Sequence, residues 1–271
     1  MAVARARAYH QVADEPRVFT DSLALRIVGE SGSRANEFDE DLDQDLARRR
    51  RLFISARSRF ADDTVAAAVA RGTAQVVILG AGLDTTAYRN TRADVRFFEV
   101  DHPDTQEWKR RRLSDTGIAI PSSLTFAPID FEQSTLAAGL AEAGLDRTRS
   151  ALFLWLGVTM YLTEPSVDDA LRYIAGHGEP SEVVFDYLYP VSSTRHDPAA
   201  QQQQARVDGV AAVGEPWLSF FTVDEIRSKL LSFGFDQVQD HSATQLLATY
   251  GIRTNTRPMD SGPHLIHAST L

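Results

Sequence analysis

Apolar and polar positions follow two rhythms along this chain. Short, mostly apolar runs occur at Gln75–Leu79, Val95–Val100, Leu124–Ile129 and Ala151–Leu156. Runs of this length, bounded by glycine, proline or an acid, suit strands buried on both faces. Between them the apolar spacing is helical. One helix is expected from Pro103 through Trp108 and Leu113 to Gly117, another over Ser134–Ala143 before Gly144. A third opens at Pro165-Ser166, runs through Leu171, Tyr173 and Ile174, and ends at Gly176. Proline suits a first helical turn and glycine a last one. Glu182–Tyr187 is a fifth strand. Thr222-Val223-Asp224-Glu225 forms a capping box for a helix that ends at Gly234. Phe235–Val238 and Gly262–Ala268 are the last strands. Strands alternating with helices predict an α/β fold.

Residues before this alternation are different. Ala2–Tyr9 can form a helix, and from Asn36 the composition turns strongly helical. Asp39, Glu40, Asp41, Asp43 and Asp45 precede Arg48, Arg49, Arg50 and Arg51, an order that suits the helix dipole and lets Asp45 pair with Arg49. A solvated helix face is the expectation for that arginine run. Gly72 stops the helix, so residues 1–72 are expected to form a helical extension and 73–271 the α/β domain. The alternation breaks again over Pro190–Pro216, where serines, prolines, glycines and four consecutive glutamines accumulate. Either this is one exposed helix or it is a cover for a substrate; its place after the fifth strand favours a lid insertion at about 190–216. The polar segment Ala248–Pro258 reads as a long connection and a second wall for a substrate.

Candidate chemistry lies at the ends of the strands. The first closes on Gly80-Ala81-Gly82, followed by Leu83, Asp84 and Thr85; the second ends at Glu99-Val100-Asp101. Paired glycines let the backbone turn sharply and approach a ligand, and an acid roughly 20 residues on can accept both hydroxyls of a ribose. A dinucleotide fingerprint wants glycine where Thr85 stands, and Asp84 would sit beside a pyrophosphate. An aminoacyl nucleoside with an ammonium group fits better, so S-adenosylmethionine is expected over NAD. The third strand ends at Asp130-Phe131. This pair either binds an adenine by carboxylate and ring stacking, or is a helix N-cap followed by a core phenylalanine.

Val77-Ile78-Leu79-Gly80-Ala81-Gly82-Leu83-Asp84-Thr85, then Phe98-Glu99-Val100-Asp101-His102-Pro103 and Lys109, resembles the leucine carboxyl methyltransferase family. The likeness is greatest to a bacterial branch of polyketide and other natural-product O-methyltransferases, and it runs from about Arg48 towards the C-terminus. It implies a Rossmann-like, seven-stranded class I methyltransferase sheet with helices on both faces. It also implies that Arg57, in Ser55-Ala56-Arg57-Ser58-Arg59-Phe60, binds the methionine carboxylate of S-adenosyl-L-methionine. Trp155-Leu156-Gly157-Val158-Thr159-Met160-Tyr161-Leu162 resembles the family's Trp-Glu-Gly-Val-Thr-Met-Tyr-Leu signature, with Leu156 in place of glutamate. That exchange removes a polar contact near the methionine end or opens room for an apolar substrate. The expected cofactor set is Arg57, Gly80, Ala81, Gly82, Asp84, Thr85, Glu99, Asp101, Asp130, Phe131 and Leu156.

Composition narrows the partners. The chain has 37 acidic against 28 basic residues, a net charge of −9, which does not suit the phosphate backbone of nucleic acid. It has no cysteine, so disulfides and thiolate metal sites are excluded, and no His/acid spacing marks a metal. Neither a signal-type apolar core nor a membrane-spanning run is visible, and a cytoplasmic protein is expected. Methyl transfer to a carboxylate needs no base, whereas a phenol or alcohol calls for one. No histidine falls in a motif that marks a base; His196 in the lid and Tyr161 are the catalytic candidates, each also readable as a surface histidine and a packing aromatic. The activity expected is O-methylation of a small molecule. The alternatives are methylation of a peptide or protein C-terminal carboxylate, a nucleoside-binding protein without turnover, and an NAD-dependent oxidoreductase.

Overall fold

In the computed structural model, strands β1 (Gln75–Leu79), β2 (Arg96–Asp101), β3 (Leu124–Pro128), β4 (Ala151–Trp155), β5 (Ser181–Leu188), β6 (Gln237–Ser242) and β7 (Pro263–Ser269) form one sheet. Its order is β3-β2-β1-β4-β5-β7-β6. The structure describes residues 1–35, 43–131, 133–190, 204, 207–209, 211, 216–253 and 262–270. Most of the expected lid, including His196, lies outside the described residues, as does 254–261 of the connection that follows Ala248. The chain divides into two compact units, residues 1–152 and 153–271.

In the first unit β1 pairs in parallel with β2, and β2 with β3. Every residue of β1 is buried, as an apolar run without alternation requires. Helix α1 (Ala2–Ala13), α2 (Ala24–Val28) and the long α3 (Gln44–Ala70) precede the sheet. Ala4 and Ala8 of α1 pack with Ile27 and Val28 in a core that also takes in Leu83, Leu113 and Ile118. The N-terminal helices therefore share a core with the segment just after β1. Asp43 caps α3 by accepting from the Asp45 N–H, and Gly72 ends it with φ +106°. The arginine run is less uniform than expected. Arg49 Nε donates to the Asp45 carbonyl oxygen at 3.3 Å rather than to its carboxylate. Arg51 turns inward and grips the buried Asp14 carboxylate with two bonds, at 2.6 and 2.8 Å.

The helix expected near Asp84 is a single turn, α4 (Thr86–Arg89). Asn90 ends it: its side chain donates to the Arg92 carbonyl and accepts the Arg92 N–H, a local pairing that competes with helical bonding. Helix α5 (Pro103–Asp115) follows β2 with His102 as its N-cap and proline in the first turn; α6 (Leu136–Glu142) follows β3, capped by Thr135.

In the second unit β7 pairs antiparallel with both β5 and β6. Helix α7 (Glu164–Ala175) is capped by Thr163, and α8 (Val223–Phe233) by the Thr222–Glu225 box. Beyond α8, Gly234 adopts the left-handed conformation and the Phe235 N–H returns to the Leu230 carbonyl. That cap buries Phe235 and delays β6 to Gln237, later than the apolar pattern implies. A second capping box, Ser242–Gln245, opens α9 (Ala243–Thr249), so the expected connection begins as a helix. No helix among the described residues is long and apolar enough to cross a membrane.

Candidate functional site

The turn after β1 is built by two glycines in the left-handed region, Gly80 at φ +64° and Gly82 at φ +44°. Three bonds fix it. The Ala81 N–H donates to the Val100 carbonyl at 3.1 Å, the Asp84 N–H closes back on the Ala81 carbonyl at 2.7 Å, and the Gly82 N–H donates to Asp101 Oδ2 at 2.6 Å. Asp101 Oδ1 accepts the His102 N–H at 2.8 Å. A carboxylate has about four lone-pair sites, so Asp101, half-buried at the end of β2, retains acceptor capacity. A Cβ placed on Gly82 would meet nothing nearer than the Gly80 carbonyl oxygen at 3.9 Å, so open space lies over the turn.

The end of β3 joins this edge. The Ile129 N–H donates to the Asp101 carbonyl at 2.9 Å, and Asp130 and Phe131 follow. Asp130 Oδ2 accepts from the Gln133 amide at 2.6 Å. The Phe131 ring is 61% exposed, and Thr135 caps the next helix. A helix cap with a core phenylalanine is therefore not what this pair forms.

Glu99 is placed differently from its neighbours. It has no exposed surface; Lys109 Nζ pairs with Oε1 at 2.8 Å and the Tyr88 hydroxyl donates to Oε2 at 3.2 Å. Lys109 also donates to the Asp84 carbonyl at 2.9 Å. Burial pushes the Glu99 carboxyl up to about 6, against the pull of Lys109. The structure places Glu99 beneath the turn, enclosed by Lys109 and Tyr88. Asp84 accepts the Thr86 N–H at 2.7 Å, with Arg7 Nη1 3.9 Å away. Burial alone would raise its carboxyl, but Arg7, Lys109 and that N–H hold it below the usual range.

The N-terminal helices reach this turn through a buried charge network. Arg7 donates to the Leu83 carbonyl at 2.5 Å and its Nε lies 3.0 Å from Asp21. Asp21 accepts the Thr85 hydroxyl at 2.7 Å; Arg89 donates to the same hydroxyl at 3.1 Å and forks onto Asp62. Thr85, which breaks the dinucleotide fingerprint, is thus a tie-point for the extension. Arg7, Asp21, Asp62 and Arg89 carry no sequence signal, because their partners lie far along the chain and no spacing links them. Arg57 is buried on α3, its guanidinium 6.0 Å from the Phe53 ring.

In the second unit, Leu156 is half-buried after β4, and Gly157 (φ +75°) donates its N–H to Asp186 Oδ1 at 2.6 Å. The Thr159 hydroxyl donates to the Asp186 carbonyl at 2.5 Å, and Tyr161, 38% exposed, ends the short 3-10 turn Thr159–Tyr161. Gly80, Ala81, Gly82, Asp84, Thr85, Asp101, Asp130 and Phe131 thus lie along one hydrogen-bonded run of the first unit, with Glu99 beneath. Leu156 and Tyr161 lie in the second, on the segment that follows β4.

A positive-φ glycine turn clamped to an acid with spare acceptor capacity is an arrangement that suits an adenosyl group. Comparison with known proteins shows the family. Residues 1–175 match the leucine carboxyl methyltransferase family, from the first residue and not only from about Arg48. The "Putative S-adenosyl-L-methionine-dependent methyltransferase YktD" of Bacillus subtilis is 31% identical over 253 residues, 84% of this chain and 83% of its own. A protein so described from Mycobacterium marinum is 32% identical over 211 residues, 74% of this chain and 69% of its own. Among solved structures, a DUF574 family protein of Streptomyces avermitilis superposes with TM-score 0.61 at 15% identity, covering 99% of this chain and 97% of that one. Magnesium protoporphyrin IX methyltransferase of Synechocystis, solved with bound S-adenosylhomocysteine, gives 0.51 at 13% identity and full coverage of both chains. These structures share the class I methyltransferase fold. The chain belongs to the leucine carboxyl methyltransferase family and is an S-adenosylmethionine-dependent methyltransferase.

Proposed function

We propose that this methyltransferase transfers its methyl group to an oxygen of a small molecule, a secondary metabolite rather than a protein. The observation that carries the cofactor half of this reading is the Asp101 carboxylate, clamped by the Gly82 N–H yet left with acceptor capacity beside an open turn. Asp101 would accept the ribose hydroxyls. The exposed Phe131 ring would stack on adenine and Asp130 accept from its amine. Arg57 would take the methionine carboxylate, as its planar fork matches that group. Gly80, Ala81 and Gly82 would bring backbone close to the ligand, and Asp84 would face its ammonium end. Glu99 and Thr85 hold the turn without touching it.

The bound sulfonium supplies an activated methyl group, so this chain's task is to orient the acceptor and exclude water. The family's own name supports an oxygen as acceptor. A protein substrate is disfavoured by composition: the segment 190–216 contains no lysine and the chain carries a net charge of −9. Leu156, where the family has glutamate, favours an apolar acceptor wall, and Tyr161 follows on the same segment. Calorimetric titration of S-adenosylmethionine and of NAD tests the cofactor site, and transfer of a labelled methyl group to candidate acids and phenols tests the reaction. Binding of S-adenosylmethionine without transfer to any oxygen acceptor would leave the non-catalytic reading in its place.

A further inference from the structure

The N-terminal helices fasten onto the rest of the first unit at two places, and only one of them reaches the glycine turn. At the remote place two arginines close each other's helix ends. Arg26 of α2 donates to the Thr116 and Gly117 carbonyls beyond α5, at 2.7 and 2.9 Å. Arg112 of α5 returns bonds to the Ile27 and Val28 carbonyls, at 2.7 and 2.5 Å. At the other place Arg7 of α1 donates from Nη2 to the Leu83 carbonyl at 2.5 Å, and its Nε lies 3.0 Å from Asp21 Oδ2. The Asp21 side chain has no exposed surface. It also accepts the Thr85 hydroxyl at 2.7 Å, with Arg89 Nε 3.5 Å away.

Asp84 lies between these contacts, two residues beyond the open space at Gly82. Its Oδ1 accepts the Thr86 N–H at 2.7 Å, whereas Oδ2 accepts no hydrogen bond among the described residues. Arg7 Nη1 stands 3.9 Å from Oδ2, near enough to act on its charge and beyond hydrogen-bonding distance. The Asp84 side chain is 21% exposed and that of Arg7 6%. The Leu83 carbonyl and Asp21 engage the other nitrogens of the guanidinium and keep it at that distance. An arginine so close, if released from Asp21, would fork onto the carboxylate, as Arg89 does on Asp62. Arg7 therefore offsets the cost of burying the Asp84 charge without covering the oxygen that carries it.

We propose that Arg7, fixed by Asp21, is a positioning residue that presents Asp84 to the ammonium group of S-adenosylmethionine while leaving Oδ2 free to accept it. This rests on the reading that Asp84 faces the ammonium end of the cofactor and deepens it, since it makes α1 part of the cofactor site. Only an ionised carboxylate attracts an ammonium strongly, and burial resists ionisation. Burial would raise the Asp84 carboxyl; Arg7 is the foremost of the groups that hold it down, ahead of Lys109, the Thr86 N–H and Arg89. The charged and titratable groups facing Asp84 are Arg7 from α1, Asp62 from α3, Tyr88 and Arg89 from α4, Glu99 from β2 and Lys109 from α5. Lys109 bonds the Asp84 carbonyl and not its carboxylate, so Arg7 is the cation that stands over Oδ2.

The test titrates the full chain with S-adenosylhomocysteine and with methylthioadenosine, which keeps adenine, ribose and sulfur but lacks the amino-acid end. Arg7→Met should weaken S-adenosylhomocysteine on the order of 10- to 100-fold, the size of one charge-assisted hydrogen bond, and leave methylthioadenosine within about 3-fold. In the wild type the preference for S-adenosylhomocysteine should be flat between about pH 5 and 8. In Arg7→Met it should shrink as pH falls through that range, because Asp84 then takes up a proton. Arg7→Lys keeps the charge and loses the fork, so it should restore the flat profile and only part of the preference. Arg26→Met, at the remote attachment, should lower the melting temperature and leave the preference unchanged. Equal losses for the two ligands in Arg7→Met overturn the proposal, as does a preference in Arg7→Met that is flat with pH. Should Arg7→Met not fold, Arg7→Lys decides alone, and a full wild-type preference in it overturns the proposal. Asp84→Asn separates the two levels. A wild-type preference there removes the ammonium role of Asp84 and this inference with it. A lost preference there, with none lost at Arg7, overturns the positioning role and leaves the Asp84 reading standing.

Discussion

The turns after β1 and after β4 are built alike and serve different ends. Each contains a glycine with positive φ, and each donates a glycine N–H, at 2.6 Å, to a carboxylate near the end of a following strand: Gly82 to Asp101 and Gly157 to Asp186. The two acids part company in exposure. Asp186 is 1% exposed, and its own backbone carbonyl is taken by the Thr159 hydroxyl. Asp101 is half-buried, beside a glycine whose missing side chain leaves open space. The same clamp fixes a loop in both places, but only in the first does the clamping group keep an exposed face. The first turn is also propped from below by Glu99 and Lys109 and from the side by Arg7.

That prop carries the largest expected effect. Lys109→Met would strand the Glu99 carboxylate in the interior, and losing one partner of a buried pair costs about 3–5 kcal/mol. Chemical denaturation should show a loss of that order; one below about 1 kcal/mol would mean that the turn does not depend on its prop. Next comes Asp101→Ala. Its ribose role predicts an affinity for S-adenosylmethionine weaker by at least about 100-fold, from two charge-assisted bonds worth about 1.5–3 kcal/mol each. Its stability should fall as well, by about 1 kcal/mol, because the Gly82 and His102 N–H groups lose their acceptor at a half-buried edge that water can reach. Asp186→Ala should reverse that pattern, destabilising the fold by about 1–3 kcal/mol through the unpaired Gly157 N–H. Equal effects of the two substitutions on cofactor affinity would erase the distinction between the two turns.

Much of the first turn was legible in the sequence. Gly80, Gly82 and Asp101 declare themselves because a backbone constraint and a strand end fix both residue type and spacing. Strand runs such as Val76–Leu79 are equally plain, since burial on both faces leaves no polar position among them. What the sequence hid depends on distant pairing. Thr85 reads only as a departure from a fingerprint until Asp21 and Arg89 are brought to its hydroxyl. Glu99 sits two residues before Asp101 on the same strand, and nothing local says that Lys109 will enclose it. Asp186 and Asp240 look like ordinary strand residues. The pairing of His264 with Asp240 escaped because the two lie 24 residues apart, on neighbouring strands. The short α4 escaped because Asn90 acts through its own side chain rather than through apolar period.

The smallest effect tests whether the prop is electrostatic. Glu99 has its carboxyl raised by burial from an ordinary 4.5 to about 6. The folded protein therefore holds this proton over a range in which the unfolded chain has released it. Stability from this site is greatest below the unfolded value and falls as pH rises from about 4.5 through about 6, by at most about 2 kcal/mol. Asp14 works in the opposite sense. Burial opposes its ionisation, but Arg51 and His10 lower its carboxyl to about 2, so the stability it gives is lost as pH falls from 3.8 towards that value. Urea unfolding between pH 4.5 and 6.5 should show a downward component in the wild type that is missing from Glu99→Gln. A slope unchanged by that substitution would mean that Glu99 is already ionised when folded. The turn after β1 would then rest on the geometry of Lys109 and not on a proton shared with the interior.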